Sequence, residues 1–183
     1  GNAGMALLVT HVSASAASLI WMIIDWIKFG RPSLVGMVTG MVAGLATVTP
    51  ASGYIGIPGG IILGLIGGYF CYVGVDLIRN KLKIDDSLDV FAVHGIGGMI
   101  GSILVSILAT DIFSGLGLND GMTIVSQTYV QILCVLITII WTAIGSFLIL
   151  KSISFFMSLR VNEDLEVEGL DMSEHGEKGY HSN

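Results

Sequence analysis

Forty-four consecutive residues, 32–75, contain no Asp, Glu, Lys or Arg. A bilayer core is crossed by about 20 apolar residues, so this run is too long for one span. Its middle reads Thr49-Pro50-Ala51-Ser52-Gly53-Tyr54-Ile55-Gly56-Ile57-Pro58-Gly59. Two prolines so close together interrupt a helix. The run therefore predicts two spans, about 33–49 and 58–78. The rest of the chain agrees with a membrane class. Only 12% of residues are charged, against about 25% in soluble domains. The mean hydropathy is +0.83.

Three further apolar segments, about 5–27, 88–109 and 122–157, raise the expected number of spans to five. The last is longer than a span requires and should tilt or extend into water. If the spans alternate, the connections at 28–32, 79–87 and after 157 fall on one side of the membrane. Seven of the eight Lys and Arg lie in those connections and the eighth, Lys151, lies toward the same end of the last segment, so the positive-inside rule makes that side cytoplasmic. Trp26, beside Lys28, suits an interfacial anchor.

The net charge of −6 is confined to one end. Residues 1–161 are balanced, with seven acids and seven bases, whereas residues 162–183 hold seven acids and one base. The expected organisation is an all-α, polytopic transmembrane helix bundle over 1–161 and a mobile acidic tail over 162–183. No basic patch points to nucleic acid. Cys71 and Cys134 lie in apolar runs and read as small buried hydrophobes, with no Cys or His at metal-ligand spacing. No nucleophile–base pair, metal spacing or phosphate loop points to an enzyme or to a cofactor. Gly36, Gly40 and Gly44 repeat every four residues, as do Gly56, Gly60, Gly64 and Gly68. Such rows let helix backbones approach closely; tight packing is the preferred reading, and a pore-lining strip the alternative.

His94 stands out chemically. It lies in a run without Asp, Glu, Lys or Arg, 90–110, about six residues into a helix entered from the basic side. Ionisable residues at such depth usually face the bundle interior or a polar path. Val90 lies one turn below it and Gly97 and Gly98 one turn above, with no carboxylate at either spacing. A neutral imidazole offers one donor and one acceptor. That suits a small neutral polar molecule or a relayed proton, and a structural hydrogen bond is the bland alternative. Asp85, Asp86, Ser87 and Asp89 open the same helix. Acids there satisfy free N–H groups, and their place at a cytoplasmic mouth also admits a gating role.

Three separated segments resemble one family. DDSLDVFAVHGIGG (85–98), GMVAGLATVTPASGYIG (40–56) and the tail EGLDMSEHGEKGYHSN (168–183) are similar to the signatures of the ammonium transporter family, Amt with its Mep and Rh relatives. The tail is closest to the prokaryotic branch. The resemblance implies an eleven-helix fold built on two inverted five-helix repeats, of which this chain would be helices seven to eleven. It implies a homotrimer in the inner (plasma) membrane, with a cytoplasmic C-terminus. It makes His94 the second of a mid-pore histidine pair, places Val90 at the cytoplasmic exit and puts Thr49 beside the pore. The substrate implied is ammonium or ammonia, with methylammonium as analogue. Tail residues Gly169, Leu170, Asp171, His175, Gly176, Glu177 and Tyr180 would contact a PII-type signal protein. The first pore histidine, the outer gate and the outer cation site would belong to a segment upstream of Gly1. An ammonium sensor of the same fold is the alternative function.

Overall fold

The computed structural model describes residues 2–179. Five apolar helices appear in the expected order: α1 (Asn2–Phe29), α2 (Leu34–Val48), α3 (Ile57–Val75), α4 (Ile96–Leu108) and α5 (Ile124–Ile153). Two π-helical turns adjoin them, one extending α3 over Asp76–Lys81 and one preceding α4 over Val90–Gly95. No strand occurs among the described residues. The chain divides into two compact units, Gly1–Leu136 and Ile137–Asn183. This division follows packing, whereas the expected boundary at 161/162 follows charge and hydropathy.

Local chemistry sets the helix ends. Gly30 closes α1 with φ +74, its N–H donating to the Trp26 carbonyl at 2.9 Å. Ser33 caps α2 by accepting from the Gly36 N–H at 3.2 Å. Pro58 stands in the first turn of α3, where no intrahelical N–H bond is lost. Four stretches have the length and hydropathy to cross a bilayer: Asn2–Phe29, Ile57–Lys81, Val90–Leu108 and Ile124–Ile153. The protein is therefore a multi-pass membrane protein. The second expected span is shorter than a full crossing. With 15 residues, α2 reaches only about 22 Å at ~1.5 Å per residue. It stops before Pro50, and the turn that follows buries Ala51 and Ile55.

Within the first unit, α1 lies between two rows of glycine. On α2, Gly40 abuts Trp21, and Gly44 abuts the Ser13 carbonyl and Ala17. On α3, Gly60, Gly64 and Gly68 abut Val9, Ser13 and Ala17 in turn. The numbering runs in opposite senses for α1 and α2 and in the same sense for α1 and α3, so α1 is antiparallel to α2 and parallel to α3. Packing is thus the role of both glycine rows. Polar side chains fasten the crossings. Ser13 donates to the Gly44 carbonyl at 3.0 Å, Ser18 to the Met37 carbonyl at 2.9 Å and Trp21 to the Gly68 carbonyl at 2.7 Å. Interhelical bonds of this kind contribute about 0.6–1.7 kcal/mol each in a membrane.

A second crossing is built on Thr47, which is fully buried and donates to the Ala43 carbonyl at 2.7 Å. Gly67 of α3 and Gly97 of α4 both face its side chain, and Gly101 faces its carbonyl. Cys71 is buried beside it, as expected. Cys134 is exposed instead, because α5 has no buried residue.

A carboxylate is also buried. Asp25 on α1 is 6% exposed and accepts from the Tyr72 hydroxyl at 3.1 Å. The Tyr72 ring meets Trp21 edge-on at 5.0 Å, and the Lys28 ammonium sits 4.6 Å from its centre. Sequence reasoning counted Asp25 only as one of seven acids.

A methyl at Gly101 would strike the Thr47 backbone, which cannot move aside. Gly101→Ala should therefore destabilise the full-length protein by about 1–3 kcal/mol. At Gly145, on α5, an added carbon would meet nothing within 4 Å, so Gly145→Ala should cost under ~1 kcal/mol. Thermal unfolding in detergent checks the pair; equal midpoints would remove the Thr47 crossing from the account.

Candidate functional site

Residues 82–89 join the two π-helical turns. Asp86 organises the start of the second. One of its carboxylate oxygens accepts from the Val90 N–H at 2.7 Å. The other accepts from Phe91 and Ala92 at 3.0 and 3.2 Å. The expected role of the acids, satisfying free N–H groups at a helix start, thus falls chiefly to one residue. Asp89 is the residue just before the turn. It adopts a left-handed conformation, φ 55°, and makes no side-chain cap. Its carboxylate instead lies 3.3 Å from the Arg79 Nε, a charge contact without hydrogen-bond alignment. Burial raises the Asp89 carboxyl above the usual carboxylate range, Arg79 lowers it, and Asp86 raises it again. Asp85 is exposed.

His94 sits on the second π-helical turn, not on the regular α-turn the sequence pattern predicts. Across this turn the Ile96 N–H reaches the Phe91 carbonyl, five residues back. Ala92 and Gly97 are both buried. In a regular helix, at about 100° per residue, they would point about 140° apart. The wide turn brings both onto the inner face. Ala92 then lies near Gly74 of α3, while Gly97 meets Thr47 of α2.

The opposite face carries His94, and it is open. His94 is exposed and has no hydrogen bond to any described residue. α2 and α3 both pack on the other side of the turn and leave the imidazole uncovered within this chain. Val90 is 54% exposed, and Gly98 has nothing within 4 Å of an added carbon. Val90, His94 and Gly98, at four-residue spacing, make an apolar stripe with one imidazole. Thr49 is exposed at the end of α2, and its hydroxyl donates back to the Leu45 carbonyl at 2.7 Å. The α2 hydroxyl packed on the His94 helix is Thr47. Its only sequence signal was its place, one turn beyond Ala43 and Gly44 in a small-residue row. Among the described residues no group of three His, Cys, Asp or Glu could hold a metal ion.

Residues 1–180 match the profile of the Ammonium Transporter Family. The chain belongs to that family. It is 40% identical over 178 residues to ammonium transporter Amt1 of Archaeoglobus fulgidus, covering 96% of this chain and 44% of that protein. It is 38% identical to the ammonium transporter of Bacillus subtilis, covering 98% of this chain and 45% of the relative. Among solved structures, a sensor Amt protein superposes with a TM-score of 0.84 at 28% identity, over 94% of this chain and 42% of that one. Candida albicans Mep2 gives 0.77 at 30% identity, over 89% and 37%. The chain thus spans less than half the length of the relatives it matches.

The family-like tail contains two short helical segments. These, α6 (Glu163–Glu168) and α7 (Leu170–His175), meet at Gly169, φ 105°. Leu170, Asp171 and His175 thus lie on α7. Gly176, φ 65°, ends it by donating to the Met172 carbonyl at 3.2 Å, and Glu177 donates to the Asp171 carbonyl at 2.8 Å. Arg160 grips Glu166 through contacts of 3.0–3.2 Å. Tyr180 lies outside the described residues.

Removing the Asp86 carboxylate strands three amides at once. Asp86→Ala should cost about 1–2 kcal/mol at this helix start. In the full-length protein, hydrogen exchange at Val90, Phe91 and Ala92 should then speed up about 5–30-fold. Unchanged exchange at those three amides would refute the capping role.

Proposed function

We propose that the longer protein containing this chain conducts ammonium or ammonia across the membrane, and that this chain supplies His94 to the conduction path. The observation that carries the reading is the open face of the second π-helical turn. There an imidazole without a protein partner stands among Val90 and Gly98, in a member of a transporter family. A neutral imidazole can accept one hydrogen bond and donate one, which matches ammonia better than a resting cation. On this reading the rest of the protein covers the open face. Val90 lines the cytoplasmic exit, and Asp85, Asp86 and Asp89 stand at its mouth. Thr49 belongs to the lining on its family match and its exposure alone.

The distribution of positive charge supports a cytoplasmic C-terminus, and family likeness supports an inner, or plasma, membrane location. Lys28 ends α1 and Arg31 follows it, Arg79, Lys81 and Lys83 follow α3, and the remaining three follow or end α5. The resemblance of 168–183 to the prokaryotic tail supports a PII-type partner, and family likeness supports a homotrimer. The sensor reading shares the fold of a solved sensor Amt protein, so fold alone does not separate it from transport.

In the full-length protein, His94→Ala should lower methylammonium uptake about 2–10-fold, the equivalent of one net hydrogen bond of ~0.5–1.5 kcal/mol. Unchanged uptake and ion selectivity would remove His94 from the path. Full-length protein that moves no ammonium yet alters nitrogen-regulated expression would establish the sensor instead. Single cysteines at Ser33 and Asn119 should label from opposite faces, Ser33 from the cytoplasm. The native mass should be that of a trimer, and deleting 162–183 should abolish PII-type protein retention; a contrary result in any of the three overturns that assignment.

A further inference from the structure

The loop 82–89 holds two non-glycine residues in the left-handed region, Lys83 at φ 53° and Asp89 at φ 55°. Such backbone persists only where its surroundings enforce it. Backbone bonds supply part of the enforcement: Ile84 donates to the Ile78 carbonyl at 3.0 Å and Asp89 to the Asp86 carbonyl at 3.0 Å. Side chains supply more: the Asp86 carboxylate holds the Val90, Phe91 and Ala92 amides, and an arginine reaches across from the other side. Arg79, on the π-helical turn that ends α3, crosses the loop. It donates to the Ser87 carbonyl at 2.8 Å and places its Nε 3.3 Å from the Asp89 carboxylate.

The two partners are unequal. The Arg79 side chain is 43% exposed, and that of Asp89 is 14% exposed. The contacted Asp89 oxygen is shut off from solvent and has no aligned hydrogen bond. An exposed ion pair contributes little. A mostly buried carboxylate that loses its cation is a different case, because the charge is left without compensation. Asp89 is also the residue before Val90, where the stripe bearing His94 begins. Its left-handed turn therefore sets where Val90 points.

We propose that Arg79 is a positioning residue for the conduction path: its guanidinium staples loop 82–89 through Ser87 and Asp89 and so holds Val90 and the His94 turn in register. This rests on the transport reading above. Arg79 never touches the substrate. Its loss should act on the maximal rate and leave the concentration dependence alone.

Methylammonium uptake by the full-length protein, normalised to membrane protein and measured across concentrations, tests this together with hydrogen exchange over 87–95. Arg79→Gln should lower the maximal rate about 5–10-fold, keep KM within about twofold, and speed exchange at 87–92 about tenfold. Asp89→Asn, which removes the buried charge itself, should do less. The double variant should resemble Asp89→Asn rather than multiply the two losses. Arg79→Lys keeps the charge and loses the two-pronged grip, so it should fall between wild type and Arg79→Gln. Rate and exchange in Arg79→Gln within about twofold of wild type would overturn the staple, as would multiplicative losses in the double variant. If the wild type moves no methylammonium, the transport reading falls, and the exchange measurements still decide whether Arg79 holds the loop.

Discussion

Close backbone approach at glycine is the constraint on which this structure depends. Lipid tails are as apolar as leucine, so burying hydrocarbon drives helices together far less than in water. Contact area, short polar bonds and fit must do more of the work. Where Gly44 and Gly64 meet Ser13 from two sides, the Ser13 hydroxyl comes within reach of a carbonyl on the neighbouring helix. The same approach lets Trp21 reach the Gly68 carbonyl. A side chain at any of these glycines would separate the helices and break those bonds with them.

The His94 region follows from that frame. Gly97 and Gly101 seat the start of α4 against Thr47, while Ala92 and Val93 remain buried on the same helix. A π-helical turn reconciles these inward faces, and it leaves His94 on the outward one. Packing therefore decides which residues are free for chemistry. The imidazole is available because nothing on α2 or α3 competes for it.

Charge is handled locally at the basic end of the helices. Asp86 spends both oxygens on amides, and Asp89 depends on Arg79. Asp25 is buried with Tyr72 and lies close to Lys28 through the shared ring. Three acids that look alike by composition thus hold different positions, one as a cap, one as a stapled loop residue and one as an interhelical anchor.

The membrane class, the five apolar segments and the proline break at 50–58 were legible in the sequence, because hydropathy and helix breakers act over neighbouring residues. So were the one-sided positive charges, the glycine spacing and the candidacy of His94. The expected bounds differ from those observed by a few residues. What sequence reading missed involves partners distant in the chain or a change of helical period. It could not show that Thr47 rather than Thr49 packs on the His94 helix, that Asp25 meets Tyr72, or that Arg79 spans to Asp89. It also assumed 3.6 residues per turn at His94. Local pattern determines which segments become helices in the bilayer. Only the tertiary structure decides which faces meet, because that depends on how closely backbones approach at glycines from separate helices.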